Sequence, residues 1–199
     1  MVATSETIAI VGTEARIVQV EVHIGPGIPS FTIVGLAARS VKEAEQRTRA
    51  ALLSSEQNWP SARITANLAP GALRKEGTHF DLPLALGLLA ERRAADPARL
   101  ESYVSLGELA LDGSVRPVRG VLAAAIAAYR AGKRGLICPA GNSAEAALVE
   151  GLEVIPVTSL GQCLGWLRGG EAPLPPAPHP RQEGPGEDLS EVRGHQVAK

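Results

Sequence analysis

Leu68-Ala-Pro-Gly-Ala-Leu-Arg-Lys-Glu-Gly-Thr-His-Phe-Asp-Leu-Pro-Leu-Ala-Leu-Gly-Leu-Leu89 changes character twice along its length. It leaves a β-prone run, Arg63 to Leu68, crosses a charged and glycine-containing loop, and enters an apolar stretch that predicts a helix from about Asp81 to Arg93. A strand, a polar loop and a buried helix in succession place chemistry-bearing residues at a helix N-terminus. His79 and Asp81 beside Arg74 and Lys75 have the composition of an acid/base or anion site. The same residues have a structural reading, which local pattern favours: Thr78-x-x-Asp81 resembles a capping box whose hydroxyl and carboxylate satisfy free N–H groups.

Towards the N-terminus, Thr7 to Val11, Ala15 to Ile24 and Phe31 to Val34 read as strands, the second with Val18, Val20 and Val22 alternating against Gln19, Glu21 and His23. They predict an early β-meander whose last turn is Gly25-Pro-Gly-Ile-Pro29. The Gly25-x-Gly27 pair is too short for a dinucleotide fingerprint and reads as a turn. Ser40 to Leu53 follows as a polar-faced helix.

Towards the C-terminus, Tyr103 to Leu111 and Ser114 to Val118 form a hairpin through Asp112-Gly113. Val121 to Ala131 is an Ala-rich helix expected to be buried on most sides. Strand Gly135 to Cys138, helix Ser143 to Val149, strand Glu153 to Val157 and helix Ser159 to Leu167 make a βαβα unit, which requires a parallel strand pair. The expected fold is therefore α/β, an α+β-type mixed sheet in one domain over residues 1–170, without internal repeats.

Composition narrows the function classes. The 199 residues carry 20 Lys and Arg against 21 Asp and Glu, 45% hydrophobic side chains and 3% aromatics. That is an ordinary globular balance, without the basic excess or the aromatic supply of a dedicated nucleic-acid binder. Cys138 and Cys163 lack the spacing of a disulfide framework or a zinc site. With no signal peptide pattern at Met1 to Glu6 and no membrane-length apolar run, a reducing, cytoplasmic setting without membrane contact is expected.

After Gly170 the composition shifts: Pro173, Pro175, Pro176, Pro178, Pro180 and Pro185 fall in the last stretch, which has three basic and five acidic residues. Of the chain's net −1, the first 170 residues thus keep about +1. Residues 171–187 read as a Pro-rich linker, and 188–199 as the threshold of a second domain at which the chain stops.

No P-loop is present. Of Lys42, Lys75, Lys133 and Lys199, only Lys133 follows a glycine, and Arg134 comes after it. Arg116 and Arg119 flank Pro117. With Arg74 and Lys75 they form a candidate phosphate-contacting set, or are simply solvated charges.

Phe31-Thr-Ile-Val-Gly-Leu36, Asn67-Leu-Ala-Pro70, Lys75 to Leu89, Gly107-Glu-Leu-Ala-Leu-Asp-Gly-Ser-Val-Arg-Pro-Val118 and Pro139-Ala-Gly-Asn142 together resemble the amino-terminal domain of the ComM/YifB family. These are bacterial AAA+ ATPases of magnesium-chelatase-like type. The resemblance covers residues 5–168 with its motifs in family order, and Asp188-Leu-Ser-Glu-Val-Arg-Gly-His-Gln is similar to the box opening the family's ATPase module.

The resemblance implies a fold related to the Lon protease domain. It places His79 where Lon has its Ser nucleophile and Leu122 where Lon has its Lys base, so both members of the dyad are replaced. It implies a non-catalytic accessory domain, for assembly or DNA guiding, within a ring-forming ATPase that promotes branch migration during recombination in natural transformation. A divergent Lon-like peptidase and a magnesium-chelatase-type ATPase subunit are the alternatives. No cofactor is expected in this chain, with ATP and Mg belonging to the ATPase module. The expected partners are further copies of the chain in a ring, and DNA held weakly by the isolated domain.

Overall fold

The computed structural model describes residues 2–174; the expected linker beyond residue 174 and the expected module start at 188–199 lie outside the described residues. Strand β1 (Ala3–Val11) turns through Gly12 into β2 (Glu14–Gly25), giving a long antiparallel hairpin. Strand β3 (Ser30–Val34), helix α1 (Ala38–Ser54) and strand β4 (Arg63–Ala69) follow. The expected meander is corrected here: β3 does not pair with β2. Strand β4 lies between them, antiparallel to β2 and parallel to β3. The physical reason is in the turn, since Pro26 and Pro29 cannot donate to a ladder. The helix after β3 then brings β4 back in parallel, as a crossover must.

Helix α2 (Asp81–Glu91) and a short α3 (Pro97–Glu101) come next. The sequence reading missed α3, although Asp96 caps it through the Ala98 N–H and Pro97 stands in its first turn, a legible start signal. The predicted strand Tyr103 to Leu111 splits at Leu106-Gly107 into β5 (Tyr103–Ser105), in the main sheet, and β6 (Glu108–Leu109). Strand β6 pairs with β7 (Val115–Arg116) around Asp112-Gly113, where the Asp112 carboxylate accepts from the Ser114 N–H and hydroxyl.

Helix α4 (Val121–Arg130), β8 (Gly135–Pro139), α5 (Ser143–Ala146), β9 (Glu153–Val157) and α6 (Leu160–Leu167) complete the order. Helix α5 is one turn, shorter than expected. Strands β8 and β9 are parallel, as the βαβα pattern requires.

The main sheet runs β3-β4-β2-β1-β5-β8-β9. Because strand side chains alternate between faces, Ala9, Tyr103 and Ile137 join one core with α1, α2 and α6. Ile8, Val104, Leu136 and Cys138 join a second core with α4. The result is a mixed α/β fold in three layers. Cys138 and Cys163 sit in different cores, so they cannot pair, and burial pushes both thiols up to about 12.

Helix α4 departs from the expectation of burial on most sides. Val121, Ala124, Ala125 and Ala128 are buried, but Ile126 and Tyr129 are exposed, because a single stripe of mostly alanines suffices to seat the helix on β2, β8 and β1. Among the described residues no helix is long and apolar enough to cross a membrane.

Candidate functional site

The loop between β4 and α2 carries the residues singled out in the sequence. The predicted capping box does not form: the first turn of α2 follows Phe80, with no side-chain cap. The Thr78 hydroxyl instead donates to the Glu108 carboxylate on β6. Asp81, 1% exposed, turns sideways to meet Arg47 of α1, at 2.6 Å to Nε and 3.1 Å to Nη2, and accepts from the Leu109 N–H at 3.3 Å. The capping reading fails because a forked guanidinium and an N–H from β6 offer Asp81 stronger partners than its own helix does. Burial pushes the Asp81 carboxyl up to about 6, against the pull of Arg47, whose own pKa rises through the Asp81 bond.

His79 is buried, with Nε2–H donating to the Ile8 carbonyl oxygen of β1 at 2.9 Å and its ring stacked on Phe80 at 4.2 Å between centroids. Gly77 leaves room beside the other ring nitrogen, since a Cβ there would come within 3.0 Å of Nδ1. Burial lowers the imidazole pKa, so it is neutral at pH 7. Nε2 is thus committed to the backbone of β1.

Leu122, in the first turn of α4, has its backbone N–H bonded to the Glu145 carboxylate at 3.0 Å. Its side chain lines an open groove of about 740 Å³ between the β1–β2 hairpin and α4. His79 and the start of α4 both adjoin β1, the first at Ile8 and the second at Ile10, against which Gly120 packs.

The four candidate phosphate contacts are not equivalent. Lys75 is buried: its ammonium donates to the Pro70 and Leu73 carbonyl oxygens at 2.6 and 3.0 Å, and burial lowers its pKa. It braces the loop from within, its ammonium taken by the two carbonyl groups. Arg74 is exposed and paired with Glu76 at 2.6 Å. Arg116 is exposed and lies 3.5 Å from Glu108, which links it through Thr78 to the loop before α2. Arg119 is exposed on the connection entering α4.

Four residues of this region escaped the sequence reading. Arg47 and Glu108 are far from Asp81 and Thr78 in the chain, and no local pattern announces them. Asn142 and Glu145 close the other end: the Asn142 amide bonds the Val118 N–H and carbonyl at 2.9 and 3.0 Å, and Glu145 caps α4. A hint was present in Pro139-Ala-Gly-Asn142, a turn placed just before a helix.

Lys133, the one lysine that follows a glycine, lies after the C-terminal end of α4 and is committed to Glu6 at 2.8 Å and the Glu101 carbonyl at 3.0 Å. Among the described residues no cluster of three metal-ligating side chains occurs.

Residues 20–142 match the family model described as subunit ChlI of Mg-chelatase. The chain is 42% identical over 163 residues to the competence protein ComM of Haemophilus influenzae, covering 82% of this chain and 32% of that protein. It is 37% identical over 194 residues to the uncharacterized protein YifB of Escherichia coli, covering 97% and 38%. A Lon protease of Methanosarcina barkeri is 28% identical over 166 residues, covering 77% and 20%. The chain spans about a third of the length of the curated relatives ComM and YifB.

Proposed function

We propose, because this chain belongs to the family of subunit ChlI of Mg-chelatase, that it serves as a non-catalytic accessory domain of a ComM-like AAA+ ATPase acting on DNA in recombination during natural transformation. The observation that carries the reading is His79. At the position matched to a peptidase nucleophile, the chain holds a buried imidazole whose Nε2–H is bonded to the Ile8 carbonyl oxygen, in place of a hydroxyl, and Leu122 supplies no amine at the position matched to the base. ATP and Mg belong to an ATPase module outside this domain, and the intact protein works as a ring in the cytoplasm. The competence name of the Haemophilus relative supports the setting.

The domain's part in this reading is to assemble the ring or to guide DNA. With a folded-region charge near +1, its DNA contacts are weak and made to phosphate, and copies in a ring multiply them by avidity. Arg116 and Arg119, with Arg74, are the contacts; Lys75 drops out because it is buried.

Fluorescence anisotropy on single-stranded and branched DNA across a salt series tests this. Affinity is expected to fall steeply with salt. Changing Arg74, Arg116 and Arg119 together to Ala is expected to reduce both affinity and salt slope, the slope by about one for each phosphate no longer neutralised, without regard to base sequence. Unchanged binding in the triple variant rejects these arginines. No binding by either form at low salt leaves assembly as the role.

A further inference from the structure

Two of the six aromatic residues, Phe31 and Trp59, meet at the exposed edge of the main sheet, with ring centroids 5.4 Å apart and planes tilted by 51°. Phe31 lies on the edge strand β3, and Trp59 on the connection from α1 to β4, followed by Pro60. Both rings are half-buried. Trp59 differs in this from Trp166, which is buried, edge-on to Tyr103 and covered by Arg99. The connection is stiffened by Pro60 and by the Arg92 guanidinium bonded to the Asn58 carbonyl.

Beside Trp59 opens a cavity of about 430 Å³, lined also by Pro29, Ser30, Arg49, Asn58 and Pro60. Arg39 and Arg47 of the same helix are taken by Glu43 and Asp81, but Arg49 makes no ion pair among the described residues. Nor does Arg63, whose guanidinium lies over Gly27, 3.2 Å from where a Cβ would stand. Glu45 is the one carboxylate lining the cavity.

We propose that this slot at the β3 edge binds single-stranded DNA, with an unpaired base stacked on Trp59 and the flanking phosphates held by Arg49 and Arg63. A partly exposed indole seated against the core, with Arg49 lining the cavity beside it and Arg63 paired in register with the lining residue Ser30, is the combination that takes a base by its face and its backbone by charge. A duplex, whose bases are already stacked, cannot fill it. The inference rests on the DNA-guiding reading above and adds a strand-specific site distinct from Arg74, Arg116 and Arg119.

The test titrates the full chain with an oligothymidylate about ten nucleotides long, following Trp emission and, with a labelled oligonucleotide, anisotropy. Saturable quenching is expected from the single strand and not from a duplex. Trp59→Phe should retain binding by anisotropy while losing the quench, and Trp59→Ser should weaken binding about tenfold or more. Arg49→Gln, on an exposed helix position that the fold does not use, should weaken it several-fold and lower the salt slope by about one.

Binding without quenching that survives Trp59→Ser and Arg49→Gln overturns the slot and leaves DNA guiding intact through other residues. Equal quenching by duplex overturns base stacking. No binding of any DNA at low salt overturns both.

Discussion

Asp81 shows how a single carboxylate is decided by competing effects. Burial favours its neutral form, the Arg47 fork favours its charged form, and burial is the larger, leaving the group at about 6. A carboxyl whose folded pKa lies above its unfolded value of 3.8 holds its proton more tightly in the folded chain. Its contribution is therefore most favourable below that unfolded value and declines as pH rises through the folded one. The difference in unfolding free energy between the wild type and Asp81→Asn should fall by up to about 3 kcal/mol between roughly pH 4 and pH 6.5. Urea unfolding across that range checks it, and a difference that rises with pH contradicts it. Arg47→Ala leaves the carboxylate buried without its cation. It should cost about 3–5 kcal/mol at pH 7 and extend the decline above pH 6, because the opposing pull is gone.

Among the elements, α2 is the one most fully absorbed by the fold, buried from Asp81 to Ala90 against β1 and β2. Gly87 lies where it crosses β2: a Cβ there would stand 2.7 Å from Val22 Cγ2. On an exposed helix Gly→Ala would stabilise by about 1 kcal/mol through propensity. Here overpacking of about 1–3 kcal/mol opposes it and wins, so Gly87→Ala should lower the urea midpoint, and a raised midpoint would show that α2 stands further from the sheet. The same helix shows what sequence can convey. Its apolar run and extent were legible, as were β1, β2, β4 and the parallel β8–β9 pair, because periodicity and turn residues are local. The place of β3 was not, since a strand's neighbour is set by what arrives later in the chain; β4 claimed the flank of β2. Nor was the partner of Asp81: Thr78 and Asp81 had the spacing of a cap, and Arg47 and Glu108, remote in sequence, took both.

At the scale of the whole molecule, the fold holds the residues matched to a peptidase dyad close to one strand and gives them structural work. His79 ties the loop before α2 to β1, and the backbone of Leu122 is tied by Glu145 at the entry to α4. Lys75 and Lys133, the lysines inside the folded layers, are spent on carbonyl groups and on Glu6. Calorimetry with ATP and magnesium should accordingly register no saturable binding at micromolar affinity, and such binding would reveal a phosphate cradle outside any residue named above. The central claim, a domain that keeps its architecture without peptidase chemistry, is tested most directly by incubating the chain and its His79→Ala variant with unfolded casein. The account predicts no cleavage above buffer by either. Cleavage by the wild-type chain that disappears in His79→Ala, with the variant's fold intact by circular dichroism, would contradict it.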